Sequence, residues 1–281
     1  MKNFLIRVAT GAVFAVTLLG GILYNKYTFG ALFAIVTILA VREFCSLIHN
    51  YRKTTFSTPF AMVCSVALFA AMFITFHMNQ TGEPTLPLFA PYILLVIIAM
   101  IRQLFDTKSK PLDNMAYFIM SQVYVALPFS LLCVLSAAGA NIDKTYYNFL
   151  LPLSIFIFIW FNDTGAFLFG CTLGRHKMFE RVSPKKTWEG FAGGAFAAIV
   201  AGVALSHFSD IMSLWEWIGM GLTVVATATL GDLIESVMKR EMQIKDSGNI
   251  LPGHGGMLDR FDSTLLAVPA SVVYLSFIGI L

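Results

Sequence analysis

The sequence predicts an all-α integral membrane protein with about nine transmembrane helices, a cytoplasmic N-terminus and a C-terminus on the opposite side. Three observations predict this fold. Of the 281 residues, 57% are hydrophobic and only 12% are charged, whereas soluble domains contain about 25% charged residues. Apolar runs near the ~20 residues that span a bilayer follow one another along the whole chain. Lysine and arginine concentrate in alternate connections between these runs.

The apolar runs are predicted to be helices, because backbone groups in hydrocarbon must be hydrogen-bonded within the segment. The period-two alternation of a transmembrane β-barrel is absent. We expect the first run to be retained as a span, since it is longer than a usual signal-peptide core and lacks a convincing cleavage site. The nine spans are placed approximately at residues 4–24, 27–49, 56–76, 86–104, 115–138, 149–173, 191–207, 214–236 and 261–281.

The distribution of positive charge supports this topology. With the N-terminus assigned to the cytoplasm, 17 of the 19 lysines and arginines fall in cytoplasmic segments, and only Lys26 and Lys144 fall on the opposite side. The positive-inside rule therefore favours nine spans over an even number. We divide the chain into N-terminal transmembrane helices (1–140, spans one to five) and a catalytic transmembrane region (141–281) with two cytoplasmic loops (174–189 and 239–260).

The densest polar stretch occupies residues 231–262, at a predicted membrane boundary. At helical spacing, Asp232, Ser236 and Lys239 lie on one helix face together with Glu235. A carboxylate near the end of an apolar helix is costly unless it faces a polar cavity or an ion. Carboxylate oxygens are the ligands that Mg²⁺ prefers, usually one or two of them with substrate phosphates. The stretch therefore predicts a metal and phosphate site.

The second half of that stretch contains two further aspartates and a glycine-rich loop. Asp259 and Asp262 are three residues apart and share a face at the start of the last helix. The preceding Pro-Gly-His-Gly-Gly loop (252–256) lets backbone N–H groups approach an anion closely. Each residue type also has a non-catalytic explanation. Lysines and arginines at a cytoplasmic helix end usually only fix the membrane topology. His254 alone would make a structural hydrogen bond, and a carboxylate alone would pair with a basic side chain. Those explanations do not account for all these residue types in one segment.

A second polar cluster accompanies the first. Asp163 lies in the middle of the apolar run 149–173, where an aspartate either is functional or bonds a neighbouring helix. In the following loop Pro184 is expected to fix a turn and Thr187 to cap the next helix. Lys185 and Lys186 at a helix N-terminus oppose the macrodipole, and a bound anion would relieve this.

The residues from Ser236 to Asp262 resemble the signature of phosphatidate cytidylyltransferases, also called CDP-diacylglycerol synthases. They read S-x-M-K-R, four residues, K-D-x-G, two residues, then L-P-x-H-G-G-x-x-D-R-F-D. The D-T-G-A at 163–166 and the S-P-K-K-T-W-E-G at 183–190 also resemble that family. The resemblance implies transfer of the cytidylyl group of CTP to phosphatidic acid, giving CDP-diacylglycerol and pyrophosphate with Mg²⁺. It also implies a homodimer and a funnel-shaped polar cavity open to cytoplasm and lipid.

The resemblance implies that Asp232 and Asp259 bind metal, and we add Asp163 and Asp262 as further candidate ligands. Mg²⁺ is the expected cofactor, and a second cation is left open. We expect catalytic roles for Asp232, Asp246, Asp259 and His254, with His254 orienting a phosphate or a carboxylate rather than acting as a base. The expected substrate- and phosphate-binding residues are Ser183, Lys185, Lys186, Ser236, Lys239, Arg240, Lys245, Gly255, Gly256 and Arg260.

Two other functions remain open from the sequence. A CTP-dependent polyprenol or phytol kinase would release CDP instead of pyrophosphate. A transporter would use Asp163 and Asp232 as ion or proton sites and would have a helix broken at 162–165. We expect CTP, phosphatidic acid and the lipid bilayer as partners, and no nucleic acid. The expected location is the plasma (inner) membrane, multi-pass, with the active site facing the cytoplasm. The first ~140 residues add only Arg42-Glu43, at a cytoplasmic helix end.

Overall fold

The computed structural model describes residues 2–79, 84–106, 110–138, 147–250, 253 and 255–281, with side chains described from residue 9 onward. Chain contacts divide it into two compact units. The N-terminal unit comprises Met1–Ala137 and Asp246–Arg260, and the C-terminal unit comprises Ala138–Lys245 and Phe261–Leu281. The region that we predicted to be catalytic, 141–281, therefore contributes to both units.

The N-terminal unit is helical and contains α1 (Lys2–Tyr24), α2 (Lys26–Arg52), α3 (Thr58–His77), α4 (Leu86–Arg102), α5 (Pro111–Met120) and α6 (Leu127–Ala137). Two of these helices begin at side-chain caps. Asn25 closes a capping box at the start of α2, and Ser57 caps α3. A π-helical turn joins α5 to α6, so that these elements form one apolar segment.

The core of the N-terminal unit lies where α2 packs against α3 and α6. Aromatic side chains fill it, and Phe29, Phe33, Phe44 and Phe129 are completely buried. Such rings give a helix bundle a large packing area, and Phe29 and Phe33 contact each other with ring centroids 4.9 Å apart. Several buried hydroxyls in this unit bond the preceding turn of their own helix, as Thr37 does with the carbonyl of Phe33.

The C-terminal unit contains α7 (Leu150–Leu173), a hairpin of β1 (Lys177–Phe179) and β2 (Ser183–Thr187), α8 (Trp188–Phe208), α9 (Leu214–Glu241) and most of α10 (Leu258–Phe277). Ser213 and Glu216 form a capping box that starts α9. The two strands are antiparallel, with Lys177 opposite Thr187. This small sheet corrects the sequence interpretation, which treated residues 174–189 as a loop.

Glycines set the contact between α7 and α8. A Cβ at Gly165 would fall 2.5 Å from the carbonyl oxygen of Gly193, and one at Gly190 would fall 3.0 Å from the carbonyl oxygen of Ala166. In lipid, helices associate through close packing rather than through the hydrophobic effect, so small residues mark their interfaces. The glycines therefore bring the backbone around Asp163 close to the start of α8.

Seven helical segments of the described chain are long and apolar enough to cross a membrane. They are Lys26–Arg52, Thr58–His77, Leu86–Phe105, Pro111–Ala137, Leu150–Leu173, Trp188–Phe208 and Leu214–Glu241. The predicted all-α, multi-pass membrane fold is confirmed, whereas the count of nine and the orientation stay predictions. The two remaining long helices are not among these seven. In α1, the side chains are described only from Ala9, and the stretch Ala9–Tyr24 is a shorter apolar helix. Helix α10 is not included either.

One further boundary differs from the sequence interpretation. Helix α9 continues to Glu241 and so includes Lys239 and Arg240, which the sequence interpretation places in a loop. Helix α7 is continuous from Leu150 to Leu173. The break at 162–165 that a transporter with discontinuous helices would need is therefore absent from this described segment.

Candidate functional site

A cavity of about 190 Å³ lies in the C-terminal unit, between the β-hairpin and helices α7, α8 and α9. Its polar wall includes Asp163 from α7, Asp232 from α9, and Lys185 and Lys186 from β2. All four were predicted as site residues. Its apolar wall is formed by Phe167, Met178 and Phe191. The cavity thus combines carboxylates and two cations with an apolar surface, which is the usual composition of a ligand-binding pocket.

The β-hairpin is fixed at its base by Glu189. The Glu189 carboxylate accepts the backbone N–H groups of Arg175, at 3.1 Å, and of His176, at 3.2 Å. The His176 ring lies 2.5 Å away through Nδ1. Thr187 accepts the N–H of Gly190 at 3.1 Å and caps α8, as predicted. These bonds tie both ends of the hairpin to the first turn of α8.

Pro184 does not have the role that the sequence suggested. It lies within strand β2, one residue after its start, rather than in a turn. A proline is tolerated there because the sheet has only two strands, so each strand has a free edge where no N–H donor is needed. Residues 180–182 connect the strands instead.

Lys186 and Asp232 form the central ion pair of the cavity. Nζ of Lys186 lies 2.7 Å from Oδ2 of Asp232 and also donates to the carbonyl oxygen of Thr229 at 3.3 Å. Oδ1 of Asp232 accepts the hydroxyl of Ser236 at 3.2 Å, one helical turn away. The side chains of Lys186 and Asp232 remain 24% and 36% exposed, so the pair contributes only about 0–1 kcal/mol. Lys186 can therefore leave Asp232 for a stronger anion.

The C-terminal end of α9 carries more charge. Glu235 lies on the predicted face and pairs with Lys239 at 3.4 Å, at i,i+4 spacing. Asp262 lies within electrostatic range of Asp232, Glu235 and Lys239. Close packing supports this arrangement, because a Cβ on residue 231, a glycine, would fall 2.7 Å from the carbonyl oxygen of Asp262. Three carboxylates and a lysine thus gather where α9 meets α10.

In the N-terminal unit, the Asp246–Arg260 segment is organised around Asp259. Oδ2 of Asp259 accepts the N–H groups of Ser247 and Gly256, both at 2.8 Å. The hydroxyl oxygen of Ser247 accepts the N–H of Asp259 at 3.3 Å. Gly255 has φ of +85°, and a Cβ there would fall 2.6 Å from Oδ2 of Asp259. Glycine is therefore required at this position for both conformational and steric reasons.

The other predicted residues are distributed between the two units. Gly255, Gly256, Asp246 and Arg260 lie in the N-terminal unit with Asp259, whereas Asp232 and Asp262 lie in the C-terminal unit. His254 lies outside the described residues, so its role stays a prediction. The side chains of Asp246, Arg260, Arg240 and Lys245 are exposed, and those of Ser183, Ser236 and Lys239 are partly exposed.

The chemistry of the donors fits magnesium. Asp232 and Asp262 offer oxygen ligands alone, and the ammonium of Lys186 on Oδ2 of Asp232 stands where a metal cation would neutralise that carboxylate. Among the described residues, no group of three or more His, Cys, Asp or Glu side chains forms a ready metal site. Magnesium commonly takes one or two carboxylates and completes its shell with water and phosphate oxygens, so the residues fit that mode of binding.

Sequence reasoning missed two features of these sites. The apolar wall of Phe167, Met178 and Phe191 could not be told from ordinary membrane-facing residues. Glu43 of α2 was noted but given no role, yet its Oε2 accepts the N–H of Leu258 at 2.9 Å. A buried carboxylate within an apolar helix was the available signal, since such a group is retained only where it has a partner.

Comparisons with known proteins agree with the resemblance. The model of the cytidylyltransferase family matches residues 5–278. The phosphatidate cytidylyltransferase of Staphylococcus aureus (strain COL) is 41% identical over 155 residues, which are 55% of this chain and 56% of that protein. The phosphatidate cytidylyltransferase of Staphylococcus haemolyticus (strain JCSC1435) is 35% identical over 162 residues, covering 55% of this chain and 62% of the relative. The match thus spans a little over half the length of these relatives.

Proposed function

This chain belongs to the cytidylyltransferase family, and on that premise we propose that it transfers the cytidylyl group of CTP to phosphatidic acid. The products are CDP-diacylglycerol, a precursor for phospholipid synthesis, and pyrophosphate. Two of its relatives bear the name of this activity. The structural observation that supports the proposal is the cavity in which Lys185 and Lys186 face Asp163 and Asp232.

Charge is the main obstacle to this reaction. CTP and phosphatidate together bring roughly six negative charges near neutral pH, because the second pKa of a phosphomonoester is about 6. Lys185 and Lys186 would neutralise part of this charge on one side of the cavity. Lys186 can do so because its pairing with Asp232 is partly solvent-exposed and weak. Catalysis of phosphoryl-type transfer consists mainly of such positioning and neutralisation.

The covalent step needs little help from a base. A phosphate oxygen of phosphatidate attacks the α-phosphorus of CTP, and the bond from that phosphorus to the bridging oxygen of the β-phosphate breaks. The electron pair leaves with pyrophosphate. The attacking phosphate is already largely ionised near neutral pH, so no proton has to be removed. We therefore assign His254 to orienting a phosphate or a carboxylate, and the same holds for the exposed Asp246.

We propose that Asp232 and Asp259 hold the expected Mg²⁺, with Asp163 and Asp262 as further ligands and a second cation left open. When bound, the metal would supply neutralisation of the phosphate charge. Phosphate contacts are assigned to Ser183, Lys185, Lys186, Ser236 and Lys239 in the C-terminal unit and to the backbone of Gly255 and Gly256 in the N-terminal unit. Arg240, Lys245 and Arg260 would attract the substrates electrostatically.

The position of the cavity suits a lipid substrate. The hairpin and the last turns of α9 lie at the ends of apolar helices, where the phosphate of a bilayer lipid lies while its acyl chains stay in hydrocarbon. Phe167 and Phe191 would face the glycerol backbone or the acyl chains. We propose nine spans with a cytoplasmic N-terminus, a site that faces the cytoplasm, location in the plasma membrane and a homodimer.

The test is an assay of the protein purified in detergent. Phosphatidate and CTP are incubated with the protein, with Mg²⁺ or with EDTA, and CDP-diacylglycerol and pyrophosphate are both measured. The proposal predicts equal amounts of the two products, with turnover abolished by EDTA and restored by added Mg²⁺. Turnover that persists in EDTA would contradict the metal-assisted mechanism. Release of CDP instead of pyrophosphate would favour the lipid kinase alternative.

A further inference from the structure

Glu43 is a buried carboxylate that the proposed mechanism does not use. It lies in α2, within an apolar helix long enough to cross a membrane, and its side chain is only 6% exposed. A carboxylate in such a place is destabilising unless neighbouring donors compensate for the lost hydration. The groups that contact the Glu43 carboxylate therefore indicate its role.

The Glu43 carboxylate contacts the Asp246–Arg260 segment, which belongs to the same unit. Oε2 accepts the N–H of Leu258 at 2.9 Å, across 215 positions of sequence. Leu258 is the first residue of α10, so this bond satisfies an N–H that has no partner within the helix. The negative charge also lies at the positive end of the α10 dipole.

The second carboxylate oxygen makes a steric contact. Oε1 of Glu43 lies against Gly248 and Gly256, and a Cβ on either glycine would collide with it. These two positions are glycine because the carboxylate occupies the space of a side chain. The Ser247 hydroxyl also lies near this carboxylate, since a Cβ on Gly256 would collide with both. The carboxylate therefore fits a surface that is formed by both ends of the segment.

The same segment positions Asp259. Ser247 and Gly256, which surround the Glu43 carboxylate, are the two residues whose N–H groups bond Oδ2 of Asp259 at 2.8 Å. The hydroxyl of Ser247 also accepts the N–H of Asp259 at 3.3 Å. Any shift of residues 247 or 256 must move the donors that orient the Asp259 carboxylate. Glu43 is thus coupled to Asp259 through groups that touch both.

We propose that Glu43 is a positioning residue, which fixes the Asp246–Arg260 segment on α2 and so orients Asp259 for the reaction. The functional part of this inference rests on the proposed cytidylyl transfer, whereas the positioning itself does not. Glu43 touches no reacting atom in this account. Its effect on catalysis is transmitted by Ser247, Gly256 and the first turn of α10.

Hydrogen–deuterium exchange of the purified protein tests the positioning directly. Four variants are compared with the wild type: E43A, G248A, the double variant E43A/G248A, and E216Q as a matched control. Glu216 also bonds a backbone N–H at a helix start, that of Ser213, but in the C-terminal unit. Gly248 was not assigned to the site. A peptide that covers residues 246–260 reports on the segment.

We expect exchange in this peptide to accelerate about 10- to 100-fold in E43A, because a buried N–H that loses its acceptor is left without a hydrogen bond. G248A should produce a similar acceleration, since its Cβ displaces the carboxylate. The double variant should exchange no faster than E43A, because the collision is gone once the carboxylate is removed. E216Q should leave this peptide unchanged. Unaltered exchange in E43A, or additive effects in the double variant, would overturn the proposal.

Activity measurements separate positioning from general stability. In E43A the kcat for CDP-diacylglycerol formation should fall at least 10-fold while the KM for CTP changes less than threefold. E43Q keeps an acceptor for Leu258 and should recover part of that kcat. Equal loss in E43Q and E43A, or a loss confined to KM, would contradict positioning through this bond. If the wild type makes no CDP-diacylglycerol, the proposed function fails, and the exchange result still decides the role of Glu43.

Discussion

Nζ of Lys186 lies 2.7 Å from Oδ2 of Asp232, where strand β2 meets helix α9. Both side chains line the same cavity and both remain partly exposed. The pair joins a base from the hairpin to a carboxylate from a membrane helix, and each partner has another function in the proposed reaction. Because Lys186 neutralises Asp232 only weakly, phosphate and metal can separate them at little cost.

The first prediction concerns Asp232. D232N keeps the size and the hydrogen bond to Ser236 but removes the negative charge that attracts Mg²⁺ and Lys186. We expect kcat to fall about 10²- to 10³-fold, as when a group that stabilises transition-state charge is lost, with an unchanged thermal midpoint. D210N, in the exposed connection before α9, is the control and should have normal activity. Near-normal turnover in D232N would remove Asp232 from the site.

The second prediction concerns the coupling of Lys186 with Asp232. K186Q should raise the KM for CTP and lower kcat, because one cation no longer faces the phosphates. In a double-mutant cycle with D232N, the two losses should deviate from additivity by about 0.5–3 kcal/mol, as for residues in direct contact. K177Q, on the other strand of the same hairpin, should have little effect. Strict additivity would show that the pair does not act as a unit.

The third prediction concerns the start of α8. T187V removes the hydroxyl that accepts the N–H of Gly190, and we expect a loss of about 1 kcal/mol in the free energy of unfolding. T187S keeps the hydroxyl and should unfold like the wild type. Chemical unfolding in detergent measures both variants. Equal stabilities for T187V and T187S would mean that this cap does not hold the hairpin.

The fourth prediction concerns the contact of α7 with α8. In G165A the new Cβ meets the carbonyl oxygen of Gly193 at 2.5 Å, so the helices must separate at a cost of about 1–3 kcal/mol. Activity should fall as well, because Asp163 moves with α7. G20A is the control, since a Cβ there meets nothing within 4 Å. A variant G165A as stable as G20A would contradict the close packing.

Hydropathy was sufficient to predict a helical, multi-pass membrane fold, because each span is a property of about 20 consecutive residues. The count of nine spans and the orientation stay predictions. Asp163, Lys185, Lys186 and Asp232 were predicted as site residues from local chemistry, and the structure brings them to one cavity. The pairing of Lys186 with Asp232 could not be predicted, since it depends on how three helices and a hairpin pack.

Two features could be recognised only in the structure and not in the sequence. The hairpin has strands of three and five residues, and β2 reads Ser-Pro-Lys-Lys-Thr, so it lacks the alternating apolar pattern of a strand. The contact of Glu43 with Leu258 joins residues 215 positions apart. A single sequence carries no record of such a contact, although the buried charge in α2 marks where to look.

The central claim is that CTP donates its cytidylyl group to phosphatidate, and CTP labelled at defined phosphorus atoms tests it most directly. The purified protein is incubated with phosphatidate, Mg²⁺ and CTP that carries label on either the α- or the γ-phosphorus. We predict that the α-label enters the lipid, that the γ-label leaves as pyrophosphate in equal amount, and that EDTA prevents both. Transfer of the γ-label to a lipid, or the absence of label from lipid with either CTP, would contradict the account.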